Sequence, residues 1–159
     1  LGHAAPVLSL DPAPEWRHAG DMGALTAVLE DWLDANSDYP RHDAPVRIEV
    51  VDRTVAQAQL GLSARMGQKT RGLYDPDTAT IYLIAPWSAQ DARDVSVLLH
   101  ELVHHRQVGA RHWYCPGAQE PDAYALQADW LAERGQEIAV NRIAIALEAG
   151  CTPKDFHPD

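Results

Sequence analysis

The residues best equipped for chemistry lie in one short stretch. Positions 97–105 read Val-Leu-Leu-His-Glu-Leu-Val-His-His, which contains H-E-x-x-H at His100, Glu101 and His104. On a helix, residues four apart lie on one face, a turn from one another. His100 and His104 can then offer two imidazole nitrogens to one metal ion. Glu101, beside the first of them, can hold a water on that ion and remove its proton. His and Glu each occur eight times in the chain, so chance would place this pattern about 0.02 times in a sequence of this length. The intervening Leu102 and Val103 are apolar, as a helix set into a core requires.

A zinc ion that keeps an open position for water needs a third protein ligand. A second histidine-rich pattern, with Gly at 107 and His at 110, is ruled out because Gln107 and Ala110 stand there. The better source is the stretch 119–129, Gln-Glu-Pro-Asp-Ala-Tyr-Ala-Leu-Gln-Ala-Asp. Glu120 follows His104 by 16 residues, enough for a loop and a return on a second helix. Pro121 suits a first helical turn, and small Ala123 one turn on lets two helices approach closely. Asp122 is the next choice of ligand and Asp129 the one after. A Glu in a first turn also has a plain explanation, since the helix dipole favours it.

The surrounding elements must place these side chains. Leu25, Val28, Leu29 and Leu33 recur at helical spacing, which predicts an amphipathic helix over 21–36. Residues 46–51 mostly alternate apolar and polar and read as a strand; 53–62 reads as a short helix. Two β-rich runs within 71–84 flank Asp75-Pro76-Asp77-Thr78, a hairpin signal. Ser88 and Asp91 have the spacing of a helix start, predicting a helix from about 89 to 107 that carries the motif. Further helices are expected over about 119–133 and 136–149. Residues 1–20, with three prolines and no period, read as an irregular arm docked through Trp16, and 21–159 as one domain. The fold class is therefore α+β: a small antiparallel or mixed sheet packed on the motif helix, with further helices C-terminal to it.

Composition narrows the function classes. The chain has 159 residues, 46% of them hydrophobic and 23% charged, with a net charge of −10. That suits one globular domain. An acidic chain is a poor binder of phosphate backbones, so no nucleic-acid partner is expected. No apolar run approaches the roughly 20 residues that span a bilayer, so no membrane insertion is expected. The first residue is Leu1, and no signal peptide is visible. Cys115 and Cys151 could form one disulfide, which would favour a secreted or periplasmic home.

The pairing of His100, Glu101 and His104 with Glu120 resembles the active-site helix pair of zincin metallopeptidases, specifically the gluzincin type, in which a Glu on a following helix completes the site. Members with an E-x-x-A-D segment carry the third ligand at its Glu. The matching stretch here is Glu120-Pro121-Asp122-Ala123-Tyr124, so Ala123 matches and Tyr124 replaces the Asp that orients a ligand histidine. Together with the hairpin 71–84, these segments also look like an uncharacterised bacterial domain family of small predicted peptidases. The resemblance covers about residues 70–132.

It implies a zincin-like domain binding Zn2+ through His100, His104 and Glu120, with Glu101 as general base, acting on a peptide or protein substrate. It also implies that the strand 79–84 offers an edge to the substrate backbone. Tyr74, His105, His112 and Tyr124 are candidates for stabilising the oxyanion. His3, His18 and His42 are further histidines that could reach the metal. Two alternatives stay open: a non-peptide amide hydrolase of the cell-wall type, and a catalytically inactive, metal-stabilised binding module.

Overall fold

The structure is a computed structural model that describes residues 15–59, 70–113 and 115–138. The arm before Glu15, the end of the helix expected over 53–62, nearly all of the helix expected over 136–149, His3, Tyr114 and Cys151 lie outside the described residues. Within them the chain is a mixed α+β fold of five helices and a three-stranded sheet. In chain order the elements are α1 (Glu15–His18), α2 (Met22–Asn36), β1 (Arg47–Val51), α3 (Arg53–Gln59), β2 (Gly72–Asp75), β3 (Thr80–Ile84), α4 (Ala92–Ala110), a 3-10 turn (Pro116–Gln119) and α5 (Glu120–Ala132). No helix among these residues is long and apolar enough to cross a membrane.

Helix α2 begins where Asp21 accepts a hydrogen bond from the Ala24 amide, one of the orphan donors of a first turn. Its buried stripe is Leu25, Leu29 and Leu33, the i, i+4 spacing of a core-facing side. Helix α4 starts at Ala92, not near 89. Its cap is Asp91, which accepts from the amides of Arg93 and Asp94. Ser88 instead receives the Gln90 amide on its hydroxyl, and Asp94 reaches back to the Ser88 amide. That local knot occupies the residues that looked like the first turn.

The sheet order is β1-β3-β2, with β1 parallel and β2 antiparallel to β3. The hairpin pairs Gly72 with Leu83 and Tyr74 with Ile81. Strand β3 is thus central and has both edges paired, so it cannot offer one to a substrate as expected. Among the described residues, the edge of β2 away from β3 pairs with no further strand. Successive strand residues face opposite sides, and the two faces serve different layers. Tyr74, Ile81 and Leu83 join the main core with α2, α4 and α5. Leu73 and Ile84 pack with Ala56 of α3 and with Val51 on the other side.

Helix α4 is the spine of the molecule. Every residue from 98 to 107 on it is buried, the mark of a helix enclosed on all sides. Trp16 closes one end of the core, edge-on to Trp130 with ring centroids 5.5 Å apart. The docking of Trp16 is as expected, although the backbone around it is a helical turn. Arg106, fully buried, ties α4 to α2: its Nε donates to Glu30 Oε2 at 3.0 Å and its Nη2 to Asp34 Oδ1 at 2.8 Å. It also donates to the Tyr39 and Glu30 carbonyls, so its donors are met by fixed acceptors, as a buried charge requires.

Candidate metal centre

Half a dozen polar side chains lie in the buried span of α4, and their partners explain why burial is tolerated. His100 and His104 stand one turn apart and face α5. Their Nε2 atoms lie 3.1 Å from each other. Glu120, the first residue of α5, completes the cluster: its Oε2 is 3.2 Å from His100 Nε2 and its Oε1 is 2.9 Å from His104 Nε2. Glu101 belongs to the same neighbourhood. One ligand atom from each of His100, Glu101 and His104 falls within 4.8 Å of the others. The tighter trio, by the separations just given, is His100, His104 and Glu120, and we take it as the candidate ligand set.

The donor set fits a zinc ion. Two imidazoles and a carboxylate are ligands that zinc accepts, and donors about 2.0–2.1 Å from a tetrahedral ion stand roughly 3.3 Å apart. The three separations of 2.9–3.2 Å lie close to that value. The electrostatics point the same way. Burial disfavours the charged form of Glu120, yet the hydrogen bonds and charges of His100 and His104 outweigh it and hold the carboxyl well below its usual range. Burial likewise lowers His104, and the Glu120 hydrogen bond with the charges of Glu101 and Glu120 overturns that, raising it to about 9. The pocket attracts positive charge.

The remaining faces of both imidazoles are occupied. His100 Nδ1 lies 2.9 Å from Gln127 Oε1, and His104 Nδ1 lies 2.8 Å from Gln107 Oε1. Both amides were readable in the sequence, since Gln107 is three residues after His104 and Gln127 seven after Glu120, each on the same helix face as the ligand. The ring of Tyr124 packs against His100 with centroids 4.5 Å apart.

Other candidates are placed elsewhere. Asp122 is exposed and accepts the Tyr39 hydroxyl at 2.5 Å; Asp129 is exposed. His105 points away from the cluster, lying 2.7 Å from the Tyr74 hydroxyl through Nδ1 and 3.0 Å from the Ala44 carbonyl through Nε2. Its ring stacks on His42 at 4.2 Å. Desolvation lowers its pKa despite the Ala44 bond, so it is neutral, accepting from Tyr74 and donating to Ala44. Tyr74, His105 and His42 thus form a structural group. His18 and His112 are exposed. Trp130 is core, and the Trp113 indole donates to the Gln107 carbonyl at 2.7 Å. Cys115 is buried; the bridge expected to Cys151 falls outside the described residues.

Strand β2 passes close over the motif. A Cβ added at Gly72 would sit 2.7 Å from Val97 Cγ1 and 3.2 Å from Glu101 Cγ. The strand therefore lies against the Glu101 side chain at a distance only glycine permits.

A family model described as a domain of unknown function (DUF6647) matches residues 18–159. No curated protein and no solved structure matches the chain.

Proposed function

The chain belongs to the DUF6647 family, and we propose that it is a zinc-dependent metallohydrolase that cleaves peptide bonds, with a zincin-like site of the gluzincin type. One observation carries the reading: the mutual approach of His100 Nε2, His104 Nε2 and a Glu120 carboxylate from two helices, with Glu101 beside them. A structural zinc site is usually closed by four protein ligands, whereas three ligands and a neighbouring carboxylate match a hydrolytic one.

His100, His104 and Glu120 would hold the ion. When bound, zinc supplies Lewis acidity, which brings the pKa of a water near neutrality and polarises a carbonyl. Glu101 takes a proton from the attacking water on a carboxylate oxygen and passes it to the leaving amine. The edge of β2 away from β3, which no strand among the described residues pairs, offers an extended substrate a place to add as a further strand. Gly72 brings that edge to within a side-chain radius of Glu101. Tyr124, whose ring packs against His100, is the oxyanion candidate.

Elemental analysis of the purified chain tests the site. About one zinc per chain is expected, lost in His104→Ala and in Glu120→Ala. Glu101→Gln should keep the zinc and lose hydrolysis of a peptide library by about 10²–10⁴-fold. Zinc kept in Glu120→Ala would remove Glu120 from the ligand set. No uptake even after reconstitution would end the reading. Full turnover by Glu101→Gln would remove its general base.

A further inference from the structure

Each ligand imidazole is backed by a chain of hydrogen bonds whose direction is set by a group that can only accept. On the His104 side, Gln107 Nε2 donates to the Gln119 carbonyl at 2.9 Å. A carbonyl has no proton to give, so this end of the Gln107 amide is its NH2 and the end facing His104 is its oxygen. That oxygen, 2.8 Å from Nδ1, can only accept, so Nδ1 carries a proton and Nε2 is the nitrogen turned to His100 and Glu120. On the His100 side, the Ser96 hydroxyl donates to the Arg93 carbonyl at 2.6 Å. Its oxygen then accepts from Gln127 Nε2 at 3.0 Å. The Gln127 oxygen is thereby turned toward His100 Nδ1, 2.9 Å away, which likewise carries a proton. Gln107, Gln127 and Ser96 are all buried, so water does not compete for these bonds.

We infer that Gln107 and Gln127 are positioning residues of the metal site, each locking one ligand imidazole in its Nδ1–H form, and that Gln107 also fastens His104 to the peptide just ahead of Glu120. The inference rests on the metal-site reading above and adds to it how the ligands are aimed. Gln127 lies one turn beyond Tyr124, where the resembling peptidases carry an orienting acid, so the amide takes over that task from the next turn of α5. The two residues differ in reach. Gln127 steadies a single ring, whereas Gln107 joins the last turns of α4 to the start of α5 and so bears on two ligands. Both partners are neutral, so charge in the pocket is confined to Glu101, Glu120 and the bound cation.

The test compares the whole chain with Gln107→Met and Gln127→Met, which fill the space but accept no hydrogen bond from a ring. Zinc affinity is read by competition with a chromophoric chelator. The imidazole protons of the metal-free chain, and their rates of exchange with water, are read by long-range proton–nitrogen correlation. Each variant should bind zinc about 10–100-fold more weakly. Gln127→Met should lose the protected Nδ1 proton of His100 alone, and Gln107→Met that of His104. Gln127→Glu should recover the affinity to within a few-fold, because a carboxylate still accepts from His100 and the Ser96 hydroxyl can turn to donate to it. A merely structural role would lower the melting temperature and leave the affinity of the folded chain unchanged. Wild-type affinity in both Met variants, or an unmoved Nδ1 proton on the ring concerned, would overturn the inference. A wild-type chain showing both Nδ1 protons but taking up no zinc would leave the relays standing and remove the metal reading.

Discussion

In the proposed site, proton and metal would compete for the same lone pair on His104. Burial would lower its pKa, but the Glu120 hydrogen bond and the charges of Glu101 and Glu120 carry it up to about 9. A ligand must shed its proton to bind, so below about pH 9 zinc has to displace one from His104. The sign follows directly: apparent zinc affinity should climb by about tenfold per pH unit and level off near pH 9. Chelator competition at several pH values measures this, and a flat profile between about pH 6 and about pH 8 would contradict it. That His100, Glu101 and His104 share one helix was legible from spacing, because helical geometry turns sequence offsets into directions, whereas Glu120, on a separate helix, stood first among three carboxylates that spacing left open. The carboxylates Glu30 and Asp34 that hold Arg106 were not. They lie 76 and 72 residues from it, and no local period links residues so distant.

Helix α4 and strand β2 meet through a missing side chain. An alanine at Gly72 would overlap Val97 Cγ1, which is β-branched and held in the core side of α4, and would crowd Glu101 Cγ. Gly72→Ala should therefore cost about 1–3 kcal/mol of stability by overpacking, seen as a lower denaturant midpoint. It should also displace Glu101, so that turnover falls while zinc content does not. Adding Val97→Ala should return part of both losses, and a double-mutant cycle with no coupling would refute the contact as the cause. The hairpin itself was legible, because strand residues flanking a Pro- and Asp-bearing turn pair locally. That its second strand would be central was not. Its other neighbour, β1, pairs in parallel from more than thirty residues away, and nothing in either strand names its partner. The start of α4 lies three residues later than the spacing predicts, because Asp94 accepts the Ser88 amide and the Ser88 hydroxyl accepts the Gln90 amide in competition with the helix.

At the scale of the molecule, the proposed ligands come from α4 and the first residue of α5, so a bound ion would join two helices that the unfolded chain does not hold together. Zinc at about a hundred times its dissociation constant should stabilise the fold by about 2.7 kcal/mol, or roughly 5–11 °C in melting temperature for a chain of this size. Calorimetry with and without zinc measures the shift. Its persistence in His104→Ala would show that the ion acts elsewhere. The α+β class and the buried motif helix followed from apolar pattern alone, because burial is what such patterns encode. The two sides of the sheet, finally, give this small protein room to change. Tyr74, Ile81 and Leu83 are committed to the core that carries the candidate site, whereas Leu73 and Ile84, their immediate neighbours in the chain, pack with Ala56 of α3 and Val51 of β1. A lineage can rewrite every second residue of the hairpin together with the outer layer it packs on, and so reshape what that layer presents, while the candidate site on the opposite side is left untouched.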